Sequence, residues 1–556
     1  MLHVAAVVSF VSLLLSSLPA VRAQAPVAAG APPTAALPDG APPAMAAIRG
    51  ERLLAHAQFL ASDELGGRLT GSPGQEQAAQ YIADHFRSLG LEPLGDVVDG
   101  ERTFFQRYGV TRTYIDPASV LRFGPIETRH GYAVLTGGPV QLACDGVLKF
   151  RGRGRNRGGS AEVAADEDLT DEVPLVLIKM PKGRVDRDIS VEQKFMMSFR
   201  AFGTLSRTTA SLQKQGAKLV VFALVDDPLG LIDVLNYLAL SPGKDLMNPR
   251  FPGADASMTA MARMLGGADG PPSLVLSPAL SAKVFAEMGL EHAALQEFLD
   301  GDGELPAAKT TLPARVALQV EQDDEATASN VVACLRGADP QLAHEAVVFS
   351  AHMDHVGGRM DGEVFRGADD NASGSAGLLG IATAFAKAVA DGAPPRRSAV
   401  FLSVSGEELG LWGSAYYADH PTWDGEIVAD VNTDMIGRSG PESGPMEVMV
   451  TPSHRHDMFS TIVQDAARFG EQLGMSLTDG DKYYERSDHY NFARKGIPVV
   501  FFCTGEHADY HQVTDTPDKL DPDKMQRVAR LAFWTGWAVA NADEVPRTLG
   551  RRADWK

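Results

Sequence analysis

The sequence predicts an α/β protein: a three-layer sandwich on a mostly parallel, mixed central sheet, with a second α+β unit inserted into it. Three observations lead there. After Ala326, short apolar runs alternate with longer amphipathic ones, the order of strands and helices that builds a parallel sheet. Between about 137 and 313 this alternation gives way to brief strand-like runs and short helices. Ahead of the break stand two stripes at helical spacing.

The first stripe is Leu53, Leu54, Ala57, Phe59 and Leu60, and the second is Ala78, Tyr81, Ile82, Phe86 and Leu89. They predict helices from about 51 and over 75–89. Within the insert, 174–180, 219–224 and 273–276 read as strands, Leu212 to Gly216 as a helix end with a glycine stop, and 282–287 as a helix. Beyond it, strands are expected at 330–335, 346–351, 399–404, 427–434 and 497–503, and helices at 374–390, 458–469 and 523–541. Leu378, Ile381, Ala382, Phe385 and Val389 give the first of these helices a single apolar stripe. The resulting division is 1–23 signal peptide, 24–47 flexible Ala/Pro linker, 48–136 and 314–546 the two parts of one domain, 137–313 the insert, and 547–556 a tail.

The N-terminus reads as an export signal, because Val4 to Leu18 is apolar and Val21-Arg22-Ala23 resembles a small-residue cleavage site before Gln24. Its n-region holds His3 but no Lys or Arg, and retention as an anchor is the rival reading. The expected location is secreted or periplasmic, with no stable membrane insertion beyond that signal. The formal charge of −20 argues against nucleic acid as a partner, since phosphate binding needs a basic face. The run from Arg151 to Arg157 reads better as a solvated loop than as an anion site in so acidic a chain. Three cysteines, Cys144, Cys334 and Cys503, form no CxxC pair. An odd count leaves at least one free or paired with another chain.

Acidic and histidine residues collect where ligands bind in open α/β sheets, past the carboxyl ends of strands. His352 and Asp354 follow one strand, Asp369 and Asp370 precede the 374–390 helix, and Glu407 and Glu408 follow a second strand. Asp434 ends a third, and His511 lies a loop beyond a fourth. Singly each has a blander reading: a lone histidine is more often structural, and a Glu-Glu pair is usually solvated. Together, two histidines and several carboxylates suit Zn²⁺, and one shared carboxylate lets two ions sit roughly 3.5–4 Å apart.

The segments His352-Met-Asp354, Gly367-Ala-Asp-Asp370-Asn-Ala-Ser-Gly374, Gly406-Glu-Glu408-Leu-Gly-Leu-Trp-Gly-Ser414, Asn432-Thr-Asp434-Met435 and Tyr510-His511 occur in that order. The series resembles the co-catalytic zinc exopeptidases that include bacterial leucyl aminopeptidase, aminopeptidase Y, plasma glutamate carboxypeptidase and prostate-specific membrane antigen. It covers about 50–135 and 326–545, and the insert resembles a protease-associated domain. The resemblance implies two Zn²⁺ per chain and hydrolysis of terminal peptide bonds, most readily as an aminopeptidase. Asp370 bridges the ions, Glu408 and His511 complete one site, and His352 and Asp434 complete the other. Glu407 is the general base, Asp354 orients His352, and Tyr510 donates to the oxyanion. A cis peptide is implied between Asp370 and Asn371. The Ser487-Asp-His489 segment matches a loop near the substrate.

Blander roles fall to the neighbours. The HxD pattern does not need His355, His489 is divided between substrate contact and structure, Trp412 packs, and Asp369 and Asp515 hold backbone. Peptides are the expected partners; oligomeric state is open. A carboxypeptidase or dipeptidase on the same scaffold needs arginines for a terminal carboxylate, and Arg438 and Arg486 are its candidates. A non-catalytic receptor-like protein is disfavoured by the intact Glu407 and ligand set, and a glutaminyl cyclase-like enzyme by the complete bridging set.

Overall fold

The computed structural model describes residues 37–154, 162–164, 166–179, 203–227, 231–254, 272–301 and 303–552. The signal peptide, linker residues 24–36, the arginine run past 154, Met180 and the last four residues of the tail lie outside the described residues.

The central sheet has four parallel strands at its heart, in the spatial order Ser398–Val404, Glu345–His352, Glu426–Thr433 and Val499–Cys503. On one side Thr327–Leu335 adds antiparallel to Ser398–Val404, followed by Phe105–Ile115. On the other, Glu447–Thr451 adds antiparallel to Val499–Cys503 and carries Ser476–Asp479 parallel to itself. The sheet is therefore mixed, with a parallel centre.

Side chains alternate across a strand, and both faces here are apolar. Val347, Phe349 and Ala351 point into one core with the helices Gly50–Leu60, Gly374–Ala390 and Pro522–Asn541, whereas Ala346 and Val348 point into another with Tyr417 and Phe492. Near-continuous apolar runs are what a parallel strand covered on both faces requires. The helical stretch Ala368–Ala390 is long and apolar enough to cross a membrane by length and composition, but it is mostly buried within the protein.

Helix Pro522–Asn541 crosses the sheet at Gly536, where a Cβ would lie 2.2 Å from Cζ of Phe349. That ring is fixed, stacked on Phe401 at 5.8 Å and edge-on to Phe385 at 5.2 Å. Helix propensity favours alanine by about 1 kcal/mol, but overpacking a filled core costs about 1–3 kcal/mol. Gly536→Ala is therefore expected to lower stability in urea unfolding; an unchanged or raised midpoint would show that the ring has room to move.

Two expectations are corrected. The linker does not extend to 47: Pro43–Ala47 form a short helical turn with Ala44 and Met45 buried, because Met45 and Ile48 find apolar cover in the helical core. The accessory sheet also reaches beyond 137–313. Val120–Phe123 and Val140–Phe150 both pair with Leu312–Asp323, and Tyr132–Leu135 pairs with Ser273–Leu276. Phe105–Ile115 serves both sheets, pairing with Thr327–Leu335 at one end and with Leu246–Pro249 and Leu312–Asp323 at the other. The accessory unit is thus spliced into the edge of the central sheet, around apolar cores of its own. At the start of the arginine run, Arg151 is paired with Glu167 and Glu172. All three cysteines are free and buried. Part of the tail is held, with Thr548 bridged to Ser460.

Candidate metal centre

His352 ends its strand and is register partner to Val404, while Thr433 is partner to Phe502. The loops after these strands therefore leave the sheet at one level, which brings their side chains together. Asp370 stands between two groups. Its Oδ1 lies 3.4 Å from Nε2 of His352 and its Oδ2 lies 2.9 Å from Nε2 of His511. On the first side, Asp434 Oδ1 is 3.3 Å and Glu407 Oε2 is 3.9 Å from His352 Nε2. On the second, Glu408 Oε2 is 3.0 Å from His511 Nε2, and Oε1 is 2.6 Å from Nδ1 of His355. The donor atoms of His355, Asp370, Glu408 and His511 form one compact group able to hold an ion, and those of His352, Glu407 and Asp434 form another.

Asp370 sits in the turn Ala368–Ser373, and its peptide to Asn371 is cis. Asp515 holds this turn by accepting from the amides of Asp369 and Asp370 at 2.9 and 3.2 Å. Gly367 enters the turn at φ +57°, where a Cβ would lie 2.2 Å from the Asp370 carbonyl oxygen, so a side chain is excluded there. Asp369 points away from both donor groups: its Oδ1 accepts from the Gly437 amide at 2.7 Å, and its Oδ2 is 3.1 Å from His507.

The orienting contacts are equally specific. Nδ1 of His352 is 3.2 Å from the carbonyl oxygen of Asp354 and 3.7 Å from its Oδ1. Thr70 donates to the other Asp354 oxygen at 2.7 Å, and the Glu407 amide donates to Oδ1 at 3.3 Å. Ser487 donates to Asp434 at 2.9 Å and accepts from Asn432 at 2.8 Å. His489, by contrast, is buried with its ring stacked on Phe501 at 4.6 Å. Trp412 is buried beside Tyr108 and Leu69.

Glu407 and Glu408 diverge. Glu407 lines a cleft of about 350 Å³, open mouth included, together with Asp370, Asp434, Met435, Tyr483, Arg486, Phe501, Cys503, Glu506 and Tyr510. Glu408 turns to the histidines behind it. Burial pushes the Glu407 carboxyl well above the usual range; Glu408, Asp434 and Asp488 push the same way, and His352 opposes them. Burial and Asp370 also disfavour ionised Glu408, but His511 and His355 outweigh them and bring it down to about 2.

The donor set fits metal ions. Four carboxylates, from Asp370, Glu407, Glu408 and Asp434, converge with three imidazoles where little water reaches. Buried charges of one sign need opposite charge or a metal among them. His352 Nε2, His511 Nε2 and Asp434 Oδ1 are buried and make no well-directed hydrogen bond. Mixed imidazole and carboxylate donors suit zinc.

All five expected ligands are thus brought together, with Asp354, Glu407 and Tyr510 around them. Residues 330–535 match peptidase family M28. Every expected ligand and the Glu pair fall inside the M28 segment, whereas most of the accessory unit falls outside it. The chain is 29% identical over 220 residues to a probable leucine aminopeptidase of Arthroderma otae, across 38% of this chain and 58% of that protein. It is 33% identical over 257 residues to leupeptin-inactivating enzyme 1 of Streptomyces exfoliatus, across 45% of this chain and 51% of that one. The chain therefore spans little more than half the length of these relatives. The crystal structure of BSAP, a zinc aminopeptidase from Bacillus subtilis, superposes with TM-score 0.48 at 17% identity, covering 89% of this chain and 97% of that one.

Several residues around this centre escaped the sequence reading. His355, set aside because the HxD spacing does not need it, is buried against Glu408 and belongs to one donor group. Arg68 is buried and donates to the carbonyls of Met353 at 2.7 Å, Arg366 at 2.8 Å and Gly367 at 3.0 Å, which ties the His352 loop to the Asp370 turn. Its signal was faint, an arginine after Gly66-Gly67 in a loop between two helices. Tyr237 reaches His511 from the accessory unit. Among the described residues that unit adds no ligand to either donor group and does not line this cleft, so its approach is from behind His511.

Proposed function

We propose that the protein is a zinc-dependent exopeptidase, most readily an aminopeptidase, holding two Zn²⁺ per chain. One observation carries this reading: Asp370 offers its two oxygens to two separate donor groups, with Glu407 facing the cleft beside them. His352 and Asp434 would hold one ion, His511 and Glu408 the other, and Asp370 would be shared. His355, 2.6 Å from Glu408, is a further ligand or orients that carboxylate.

Zinc there supplies Lewis acidity, polarising a carbonyl and acidifying water. Glu407 takes the proton from the attacking water and delivers it to the leaving amine. Burial raises its affinity for protons, which favours a carboxylate that acts as a proton acceptor. Tyr510 lines the same cleft and donates to the developing oxyanion. Asp354 holds the His352 ring through Nδ1, leaving Nε2 for metal.

Action at the amino end is supported by the arginines. Arg438 is paired with Asp509 at 3.0 Å, and Arg486, which does line the cleft, is paired with Glu506 at 2.7 Å. A terminal carboxylate would have to displace a carboxylate already in place. The similarity to a probable leucine aminopeptidase of Arthroderma otae leans the same way. The carboxypeptidase or dipeptidase reading rests on Arg486 alone. On the sequence resemblance, the accessory unit is of the protease-associated type, and its separate apolar cores are consistent with that. Export through the N-terminal signal completes the proposal, with peptides as substrates.

Elemental analysis of the purified protein is expected to find about two zinc ions per chain. Aminoacyl-amides with a free amine are expected to be cleaved and N-acetylated ones left intact, with chelation abolishing turnover and zinc restoring it. One tightly held ion at full activity would sink the paired centre. Cleavage of N-blocked dipeptides in preference to free-amine substrates would move the activity to the carboxyl end.

A further inference from the structure

The two histidines that turn Nε2 toward Asp370 are held in different ways. His352 finds its Nδ1 partner two residues away, in the carbonyl of Asp354 at 3.2 Å. His511 has its Nδ1 2.9 Å from the hydroxyl of Tyr237, 274 positions away in the accessory unit. Tyr237 stands on the helix Leu231–Leu238, whose Leu231, Val234, Leu235 and Leu238 are buried in an accessory core. The tyrosine is therefore anchored in one unit while its hydroxyl serves the other. The His511 ring is packed against Tyr510 at 3.9 Å, and the Tyr237 ring lies 6.1 Å off at 30°. A second accessory side chain supports the same junction: Lys244, buried, donates to the carbonyl of Val356, next to His355.

We propose that Tyr237 is a positioning residue through which the accessory unit sets the tautomer and aim of His511, and so the hold of one metal site only. The reasoning rests on the two-metal reading above. A neutral imidazole has one N–H, and the nitrogen that binds a metal must be the other. Nε2 of His511 faces Asp370 and Glu408, so the proton belongs on Nδ1. That N–H donates to the Tyr237 oxygen. Phenylalanine at 237 keeps the ring and removes the acceptor, which leaves a buried N–H without its partner and frees the imidazole to turn. Partners of this kind typically alter metal affinity by about 10–100-fold. The His352 side has its own internal partner and should not respond.

The test uses the full-length, zinc-loaded protein and its Tyr237→Phe variant. Zinc release to a chelator is followed with a colour indicator, and the visible absorption of the cobalt-substituted proteins is compared. The expected result is that one ion leaves about 10–100-fold faster while the other leaves at the wild-type rate, with an altered cobalt spectrum and unchanged thermal unfolding of the metal-free protein. Both ions leaving at wild-type rates would overturn the inference, and so would both accelerating equally. A lowered metal-free melting temperature with unchanged release would reduce Tyr237 to a packing residue. Wild-type protein that takes up no zinc would overturn the metal-centre reading itself, a failure distinct from that of the tyrosine.

Discussion

Glu407→Gln is expected to keep both metal ions and most substrate affinity while losing turnover by at least ~10²–10⁴-fold, the span typical of removing a general base. Glu408→Gln is expected to lose one ion first and to recover part of its activity in excess zinc. The two residues are adjacent, yet their surroundings separate them. Glu407 faces the cleft, and its backbone amide is pinned by the hydrogen bond it donates to Asp354 Oδ1 at 3.3 Å. Glutamine there preserves size and polarity but cannot take a proton. Glu408 lies behind, with its oxygens 2.6 Å from His355 and 3.0 Å from His511. Glutamine at 408 removes a charge from that donor group and turns an NH₂ toward one of its members. Metal content and kcat, measured for both variants at fixed free zinc, decide the matter. If Glu407→Gln sheds metal while Glu408→Gln keeps both ions and loses only turnover, the roles are reversed. A loss below tenfold in both would remove the proposed mechanism from this site.

What could be read from the chain and what could not divide along physical lines. The candidate ligands were legible because His352 and Asp434 stand at the ends of apolar strands while Asp370, Glu408 and His511 lie in loops that follow such strands, so the strand pattern places all five at the sheet's carboxyl edge. The parallel centre was legible because strands covered on both faces become unbroken apolar runs, as in Ser398–Val404, buried throughout. Phe105–Ile115 and Val140–Phe150 were missed because their burial is uneven and partly exposed, which leaves a weak period. Met45 and Ile48 were lost inside a proline- and alanine-rich stretch whose composition says linker. Arg68 and Tyr237 act on residues 285 and 274 positions away, and no local spacing encodes such a meeting. His355 was a different failure: its position beside His352 was noticed, but only packing shows that its Nδ1 turns to Glu408.

Asp370→Asn is expected to weaken both ions at once, by at least the ~10²-fold that loss of a supporting partner alone can cause, and to leave turnover undetectable at ordinary zinc concentrations. The carboxylate is divided: Oδ1 lies 3.4 Å from His352 Nε2 and Oδ2 lies 2.9 Å from His511 Nε2. An asparagine has one oxygen and one NH₂ in those two places. Whichever way it is oriented, one ion keeps a neutral oxygen in place of a charged one, and the other faces a donor that cannot ligate. The backbone cannot easily relieve this by rotating the side chain elsewhere, because Asp515 holds the amides of residues 369 and 370 and Arg68 holds the carbonyl of Gly367. His352→Gln gives the contrast, since that residue stands on one side alone and should loosen a single ion. Competition titrations against a chelator, run on both variants, separate the cases. An Asp370→Asn protein that keeps one ion at wild-type affinity and loses the other would show that Asp370 belongs to one site rather than being shared. The paired centre would then have to be rebuilt around Glu407, whose Oε2 lies 3.9 Å from His352 Nε2.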